Sequence, residues 1–112
     1  MKLDIRLFIE CKNDEEAKQI VASVCELLAD FSPTSDMIPA RYWKMPEFFE
    51  FAFDLGNASM ESFARLISLV PTGWTHGGDP MDLWSVWNRE PGAMLLLPGT
   101  RWAEVQFNAH AG

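Results

Sequence analysis

Hydrophobic and polar residues alternate over the first ten positions of the chain. Alternation with a period of two is typical of a strand that buries one face and leaves the other in water. One face carries Leu3, Ile5, Leu7 and Ile9, and the other carries Lys2, Asp4, Arg6 and Glu10, with Phe8 among them. The pattern predicts an N-terminal strand with one solvated face.

The period changes at Asn13, after which apolar residues recur at every third or fourth position. Asn13 can cap a helix, and Glu16 three residues later can complete a capping box. The acids of the first turn also complement the helix dipole. The apolar stripe consists of Ala17, Ile20, Val21, Val24, Leu27, Leu28 and Phe31. Together these features predict an amphipathic helix.

A second alternating segment follows Pro46. Its apolar face carries Phe49, Phe51, Phe53 and Leu55, and its other face carries Phe48, Glu50, Ala52 and Asp54. The segment predicts a strand that places three phenylalanines in the core. Because Pro46 has no N–H to donate to a sheet, "ARYWK" before it is predicted to be a separate short strand or an edge segment. Tyr42, Trp43 and Phe48 are left without an evident role in the core.

Helical spacing returns in "SMESFARLISLV", where Ser59 can cap the helix and Pro71 and Gly73 end it. The apolar positions of this helix are Phe63, Leu66, Ile67 and Val70. The glycines and the proline of "GWTHGGDPMD" predict a loop. Two short strands follow, "LWSVWN" and "WAEVQFN", and the first places Trp84 and Trp87 on opposite faces.

This order of elements predicts one α+β domain that spans residues 1–112. We expect two helices packed on one face of a mainly antiparallel sheet, in a ferredoxin-like or related sandwich. The predicted core contains Leu3, Ile5, Leu7, Val21, Val24, Leu28, Phe49, Phe51, Phe53, Phe63 and Leu66.

Sixteen acidic residues against nine lysines and arginines give the chain a formal net charge of −7. Proteins that bind nucleic acid need a basic surface, so this balance argues against that class and suits a basic protein partner. The N-terminus lacks the apolar core of a signal peptide, and no apolar run is long enough to cross a membrane. Cys11 and Cys25 lack the spacing of a metal site and are expected to stay reduced. These features predict a cytoplasmic protein.

No arrangement of residues typical of a catalytic site stands out. His76 lies near Asp79 and Asp82, but three ligands at most in a flexible loop make a poor metal site. Glu50 and Asp54 share a strand face at about 13 Å, which is too far for a carboxylate pair to act together. We therefore expect no enzyme activity, no catalytic residues, no metal and no other cofactor.

Binding is better supported, because the chain has five tryptophans. Tryptophan is enriched at interface hot spots, and acids beside exposed rings would suit a basic partner. The candidate partner-binding residues are Trp43, Glu47, Phe48, Glu50, Asp79, Asp82 and Trp84.

One further pattern is a dispersed set of aromatic and turn residues. It consists of Tyr42, Trp43, Lys44, Pro46, Glu47 and Glu50, then Gly73, Trp74, Val86, Trp87 and Asn88, and finally Pro98, Trp102 and Glu104. This set resembles small bacterial immunity proteins, which protect cells against contact-dependent growth inhibition and related polymorphic toxins. We expect a monomer or weak homodimer, and the resemblance implies a cytoplasmic antitoxin. It would bind one cognate toxin domain, often a nuclease, in a one-to-one complex and block its active site.

Two alternatives remain open. The chain could be a small-ligand-binding α+β domain or an enzyme subunit, which would have a pocket with convergent polar groups. It could also form a homodimer through the exposed face of the sheet.

Overall fold

Seven strands form one antiparallel sheet with two accompanying helices in the computed structural model, which describes residues 1–110. The strands are β1 (Lys2–Glu10), β2 (Pro33–Ser35), β3 (Ala40–Arg41), β4 (Phe48–Leu55), β5 (Trp74–Asp79), β6 (Asp82–Asn88) and β7 (Thr100–Asn108), and the helices are α1 (Asp14–Leu27) and α2 (Met60–Ile67). The strand order is β2-β4-β1-β7-β6-β5, and β3 also pairs with β4. The predicted α+β architecture is confirmed.

β4 lies between β1 and β2, so the βαβ unit at the start of the chain is split by a strand. The hairpin of β5 and β6 extends the sheet beyond β7. The finer assignment to a ferredoxin-like sandwich stays a prediction.

The core lies between the helices and the face of the sheet that holds the odd-numbered residues of β1. Leu3, Ile5 and Leu7 of β1 are fully buried there. Their partners across β4 are Leu55, Phe53 and Phe51, as the alternation predicted. Among the predicted core residues, Val21 and Phe63 are only partly buried and pack at the margin. The prediction also missed Trp87, Leu95 and Phe107, which are buried.

Both helices begin at the predicted caps. The Asn13 side chain accepts a hydrogen bond from the Glu16 N–H at 2.9 Å, and the Ser59 hydroxyl accepts one from the Ser62 N–H at 3.0 Å. The second helix was predicted to run to Val70, but it ends at Ile67. Pro71 disfavours helical backbone at the residue before it. The Val70 carbonyl instead accepts the Trp74 indole N–H at 2.9 Å.

The prediction of a loop over "GWTHGGDPMD" is wrong, because most of it forms β5 and the turn into β6. The turn is closed by the Asp79 carboxylate, which accepts the Met81 N–H at 2.9 Å. Gly77 lies beneath the ring of Trp84, where an added Cβ would come within 2.1 Å of a ring carbon. The close approach of the cross-strand Trp84 ring thus explains why position 77 is glycine. Pairing with β6 outweighs the low strand propensity of glycine.

The segment "ARYWK" was predicted as a short strand or an edge segment, and its first two residues form β3 against β4. The Tyr42 N–H also donates to the Phe48 carbonyl of β4 at 2.8 Å. Trp43 and Lys44 lie in the bend that follows. No helix among residues 1–110 is both long and apolar enough to cross a membrane.

Candidate functional site

The second face of the sheet, opposite the core, is here called the open face. It is defined by the alternate side chains of β4, β1, β7 and β6. These are Phe48, Glu50, Ala52 and Asp54 of β4, Lys2, Asp4, Arg6, Phe8 and Glu10 of β1, Trp102, Glu104, Gln106 and Asn108 of β7, and Asp82, Trp84, Val86 and Asn88 of β6. The open face therefore combines large rings with acids.

Four rings form an aromatic row at one end of the open face: Trp102, Phe8, Tyr42 and Trp43. The Phe8 ring stacks on Trp102 with centroids 4.6 Å apart and meets Tyr42 edge-on at 4.9 Å. Tyr42 in turn meets Trp43 edge-on at 6.4 Å. Phe8 is only 9% exposed, whereas Trp43 is 79% exposed. The row therefore runs from a shielded ring to an indole that lies almost entirely in water.

Sequence reasoning did not place Phe8 and Trp102 in the candidate site. The available signal was that Phe8 interrupts the polar side of the first strand. Its neighbour Trp102 comes from β7, and that pairing depends on the sheet register.

An acidic cluster lies further along the strands from the aromatic row and consists of Asp4, Asp36, Asp54 and Glu104, with Asp4 four positions before Phe8 on β1. Asp4 lies directly opposite Asp54 on the neighbouring strand. Burial raises the pKa of Asp4, and the charges of Asp54, Asp36 and Glu104 raise it further, whereas Lys2 lowers it. Like charges directly opposite each other destabilise a sheet. The open face therefore carries negative charge that the fold does not fully compensate.

Glu50 is an acid of the open face that lies next to the aromatic row. It pairs across the strands with Phe8 of the aromatic row, and its carboxylate forms an ion pair with Arg6. The Glu50 side chain is mostly buried in this arrangement, while the Arg6 side chain is half exposed. Part of the charge of Glu50 is thus neutralised within the chain.

The structure brings the candidate residues together in two groups. Trp43, Phe48 and Glu50 lie at one end of the open face, where Phe48 is half-buried. Glu47 is exposed just before β4 and lines a cleft with Glu16 and Arg41. The backbone carbonyl of Glu47 accepts the Cys11 N–H at 3.1 Å, which fixes this end of β4.

The second group lies at the opposite corner. Asp79 and Asp82 pair at the turn between β5 and β6, and Trp84 is 38% exposed. From Glu50, the register places this corner about 20 Å away along the strands. Across the strands, the corner lies three strand spacings, or about 14 Å, from Glu50. One compact partner surface cannot be centred on both groups.

The groups that sequence analysis considered for chemistry do not converge. His76 and Asp79 are three positions apart on β5, so their side chains lie on opposite faces of the strand. Within residues 1–110, no three His, Cys, Asp or Glu side chains are grouped so that they could hold a metal ion. The His76 Nδ1 atom instead lies 2.6 Å from the buried Ser85 hydroxyl. Burial raises the pKa of Cys11, which keeps that free thiol protonated.

A groove of about 740 Å³ lies between α1 and the segment that follows β2. Apolar side chains line much of it, among them Val21, Met37 and Ile38, and Asp14 and Lys18 contribute charge. This groove is where the alternative of a small-ligand-binding domain would be tested.

Comparison with known proteins adds no relative: no protein-family model, no curated protein and no solved structure matches this chain. The open face, with its aromatic row and acidic cluster, is the candidate site that the geometry favours.

Proposed function

We propose that this protein is a cytoplasmic antitoxin of the immunity type, which binds a basic toxin domain through its open face. The observation that carries the proposal is the exposure of Trp43 at the end of an aromatic row, on a face of the sheet that also carries an acidic cluster. The resemblance of the sequence to immunity proteins supports the same function.

Charge gives the proposal its physical basis. The chain carries a net charge of −7, and the acids of the open face outnumber its two cations, Lys2 and Arg6. A toxin that cleaves nucleic acid needs a basic surface to hold phosphates. Complementary charge would speed the encounter and favour the correct partner.

The rings would supply the affinity that charge alone does not. Exposed tryptophans that become buried at the centre of an interface are frequent hot spots. Trp43 would be such an anchor, and the shielded Phe8 would hold Tyr42 and Trp102 in place behind it. The antitoxin then inhibits by covering the active site of the toxin, and it requires no catalytic residue or cofactor of its own.

A toxin domain for the test would come from the neighbouring gene, where that gene encodes a large secreted protein with a variable C-terminal domain. The domain is produced in a bacterial host with and without this protein, and growth is measured. Affinity is then titrated at about 50 mM and about 500 mM NaCl, a span over which surface charges become screened. We expect protection of growth and a one-to-one complex that weakens as salt rises.

Paired charge reversals locate the interface. The variant Glu47→Lys/Glu50→Lys changes the end of the sheet near the aromatic row, and Asp79→Lys/Asp82→Lys changes the opposite corner. Because Glu50 is ion-paired with Arg6, a thermal melt checks that each variant folds. The control Glu15→Lys/Glu26→Lys alters net charge equally on exposed positions of α1. We expect the first pair to weaken binding most and the control least. Equal losses in all three variants would show that only net charge matters, and unchanged affinity in the first two would exclude the open face.

The alternative of a small-ligand-binding domain is favoured by one observation, the groove beside α1. It predicts a small molecule that stays bound through purification and is detected by mass spectrometry under native conditions. Replacement of Val21 by Trp would fill the groove and should release that molecule.

A further inference from the structure

The two edges of the sheet differ in how they are protected from pairing with another chain. On one side, β4 is flanked by β2 and β3, which are three and two residues long. Prolines at positions 33 and 39 remove N–H groups from that side. On the other side, β5 is a continuous strand of six residues without proline, lysine or arginine. Short strands, prolines and lysines are the usual protection of a sheet edge, and β5 lacks all three.

The register shows which backbone groups of β5 point away from the sheet. The Asn88 N–H donates to the Gly73 carbonyl at 3.0 Å, so residues 73 and 88 form a hydrogen-bonded pair. Such pairs alternate along an antiparallel ladder. Thr75 and Gly77 therefore bond to β6, and the N–H and C=O groups of Trp74 and His76 point outward. Among residues 1–110, no strand pairs with this edge.

We propose that a second copy of this chain pairs with β5 through its own β5, antiparallel about a two-fold axis at His76. In this register His76 lies opposite His76 of the second copy, and Trp74 lies opposite Gly78. The large indole of each copy would then lie beside a residue with no side chain. An interface of two identical patches must be self-complementary, and this strand satisfies that condition.

The side chains along this edge are already fixed in one copy. The Trp74 indole N–H donates to the Val70 carbonyl at 2.9 Å, and the His76 ring lies against Ser85. The two rings stack with their planes 15° apart. Gly78 adopts a φ of +92°, and an added Cβ would come within 2.1 Å of the Asp82 carbonyl oxygen, so the position accepts only glycine. Pairing would therefore immobilise few side chains that are still free to move, so it would cost little conformational entropy.

This inference is independent of the proposed function, because the edge lies three strands away from Phe8 and β1. A two-fold axis perpendicular to the sheet keeps both open faces on the same side. Each copy could thus still bind its own partner. Because each copy carries −7, repulsion opposes dimerisation, and salt should strengthen it.

The test uses sedimentation of the purified protein from about 10 µM to about 1 mM, a span that covers weak self-association. Runs at about 50 mM and about 500 mM NaCl measure the effect of screening. Two variants are compared. His76→Ala removes the ring, whereas His76→Pro removes the ring and also the outward N–H. Proline is tolerated at an edge strand where the N–H faces solvent, and a thermal melt checks that the variant folds.

We expect wild type and His76→Ala to dimerise more strongly at the higher salt. His76→Pro should raise the dissociation constant at least about tenfold above that of His76→Ala, since a central hydrogen-bonded pair is lost. Wild-type protein that sediments as a monomer throughout would overturn the proposal. Equal dimerisation of the two variants would also overturn it.

Amide hydrogen exchange keeps the test decisive if His76→Pro does not fold. In the wild type, the Thr75 and Gly77 amides should be protected at every concentration, because they bond to β6. The amides of Trp74 and His76 should become protected only as concentration rises. Protection that does not depend on concentration would contradict the pairing.

Discussion

The two faces of the sheet are built from the same strands and the same ring types, but they hold those rings differently. On the covered face, Phe51, Phe53 and Trp87 are almost completely buried beneath the helices. Among residues 1–110, no helix packs on the open face, so Phe8 and Trp102 shield each other and Trp43 is left in water. Aromatic content therefore does not distinguish core from surface. The layer that packs above each ring makes the difference.

The faces also differ in how their polar groups are satisfied. On the covered face, the Trp87 indole N–H donates to the Thr72 carbonyl at 2.9 Å. On the open face, Asp4 lies opposite Asp54 within a cluster of like charge. The open face therefore carries an electrostatic cost. Such a cost is understandable if the acids meet a basic partner, as proposed above.

The largest expected effect comes from two tryptophans on one strand. Trp87→Ala should lower the free energy of unfolding by about 3–5 kcal/mol, because it leaves a cavity in the core. Trp84→Ala, the matched change on the open face, should cost less than about 1 kcal/mol. Denaturant unfolding of both variants measures the difference. Similar losses of unfolding free energy in the two variants would show that the two faces contribute equally to folding. That result would contradict the difference between the faces described above.

Phe51→Ala extends this test to β4. Its ring is buried on the covered face, so we again expect a loss of about 3–5 kcal/mol in unfolding free energy. A loss below about 1 kcal/mol would mean that β4 does not bury this face.

The next effect concerns binding. Trp43→Ala should weaken toxin affinity by about 2 kcal/mol or more, as expected when an interface anchor is removed. Its unfolding free energy should change by less than about 0.5 kcal/mol, because the ring is exposed. Titration of the toxin domain and a denaturant melt give the two values. A loss of stability with unchanged toxin affinity would show that Trp43 contributes to folding and is not an interface anchor.

The smallest effect concerns the acidic cluster. Asp4→Asn should raise the unfolding free energy at pH 7 by about 0.2–1 kcal/mol, since it removes a like-charged cross-strand pair. Burial raises the folded-state pKa of Asp4 above its ordinary value of 3.8. Between these two pKa values the folded protein binds more protons than the unfolded chain, so the cost of ionised Asp4 grows as pH rises. The gain from Asp4→Asn should therefore disappear as pH falls below about 3.8.

Asp82→Asn is the control for that measurement, because Asp82 is exposed on β6, two strands away from Asp4. We expect it to change stability less than Asp4→Asn at pH 7. Destabilisation by Asp4→Asn at pH 7 would contradict the account of the acidic cluster.

The sequence predicted the features that depend on neighbours along the chain. Asn13 and Ser59 act as caps because their side chains reach N–H groups only three residues away. The alternation around Phe51 identified the buried face of β4 because successive side chains of a strand point to opposite sides. The candidate site was predicted in part: Trp43 is exposed as the proposal requires, but Asp79 and Asp82 lie far from it.

The features that the sequence did not predict depend on contacts between distant segments. β5 looked like a loop because its glycines disfavour a strand, and cross-strand contacts explain them. The Trp84 ring lies above Gly77, and the Asp82 carbonyl comes close to Gly78, which adopts a φ of +92°. The aromatic row joins Phe8, Tyr42 and Trp102 from three parts of the chain. The opposition of Asp4 and Asp54 likewise requires the register of β1 and β4.

By itself, the sequence determined the α+β class, the two helix starts and the surplus of negative charge, since these follow from local spacing and composition. Only the tertiary structure decided which rings stay in water, which acids face one another and which sheet edge is left unpaired. Those properties depend on strand order and register, which are set by the packing of the whole chain and not by any single segment.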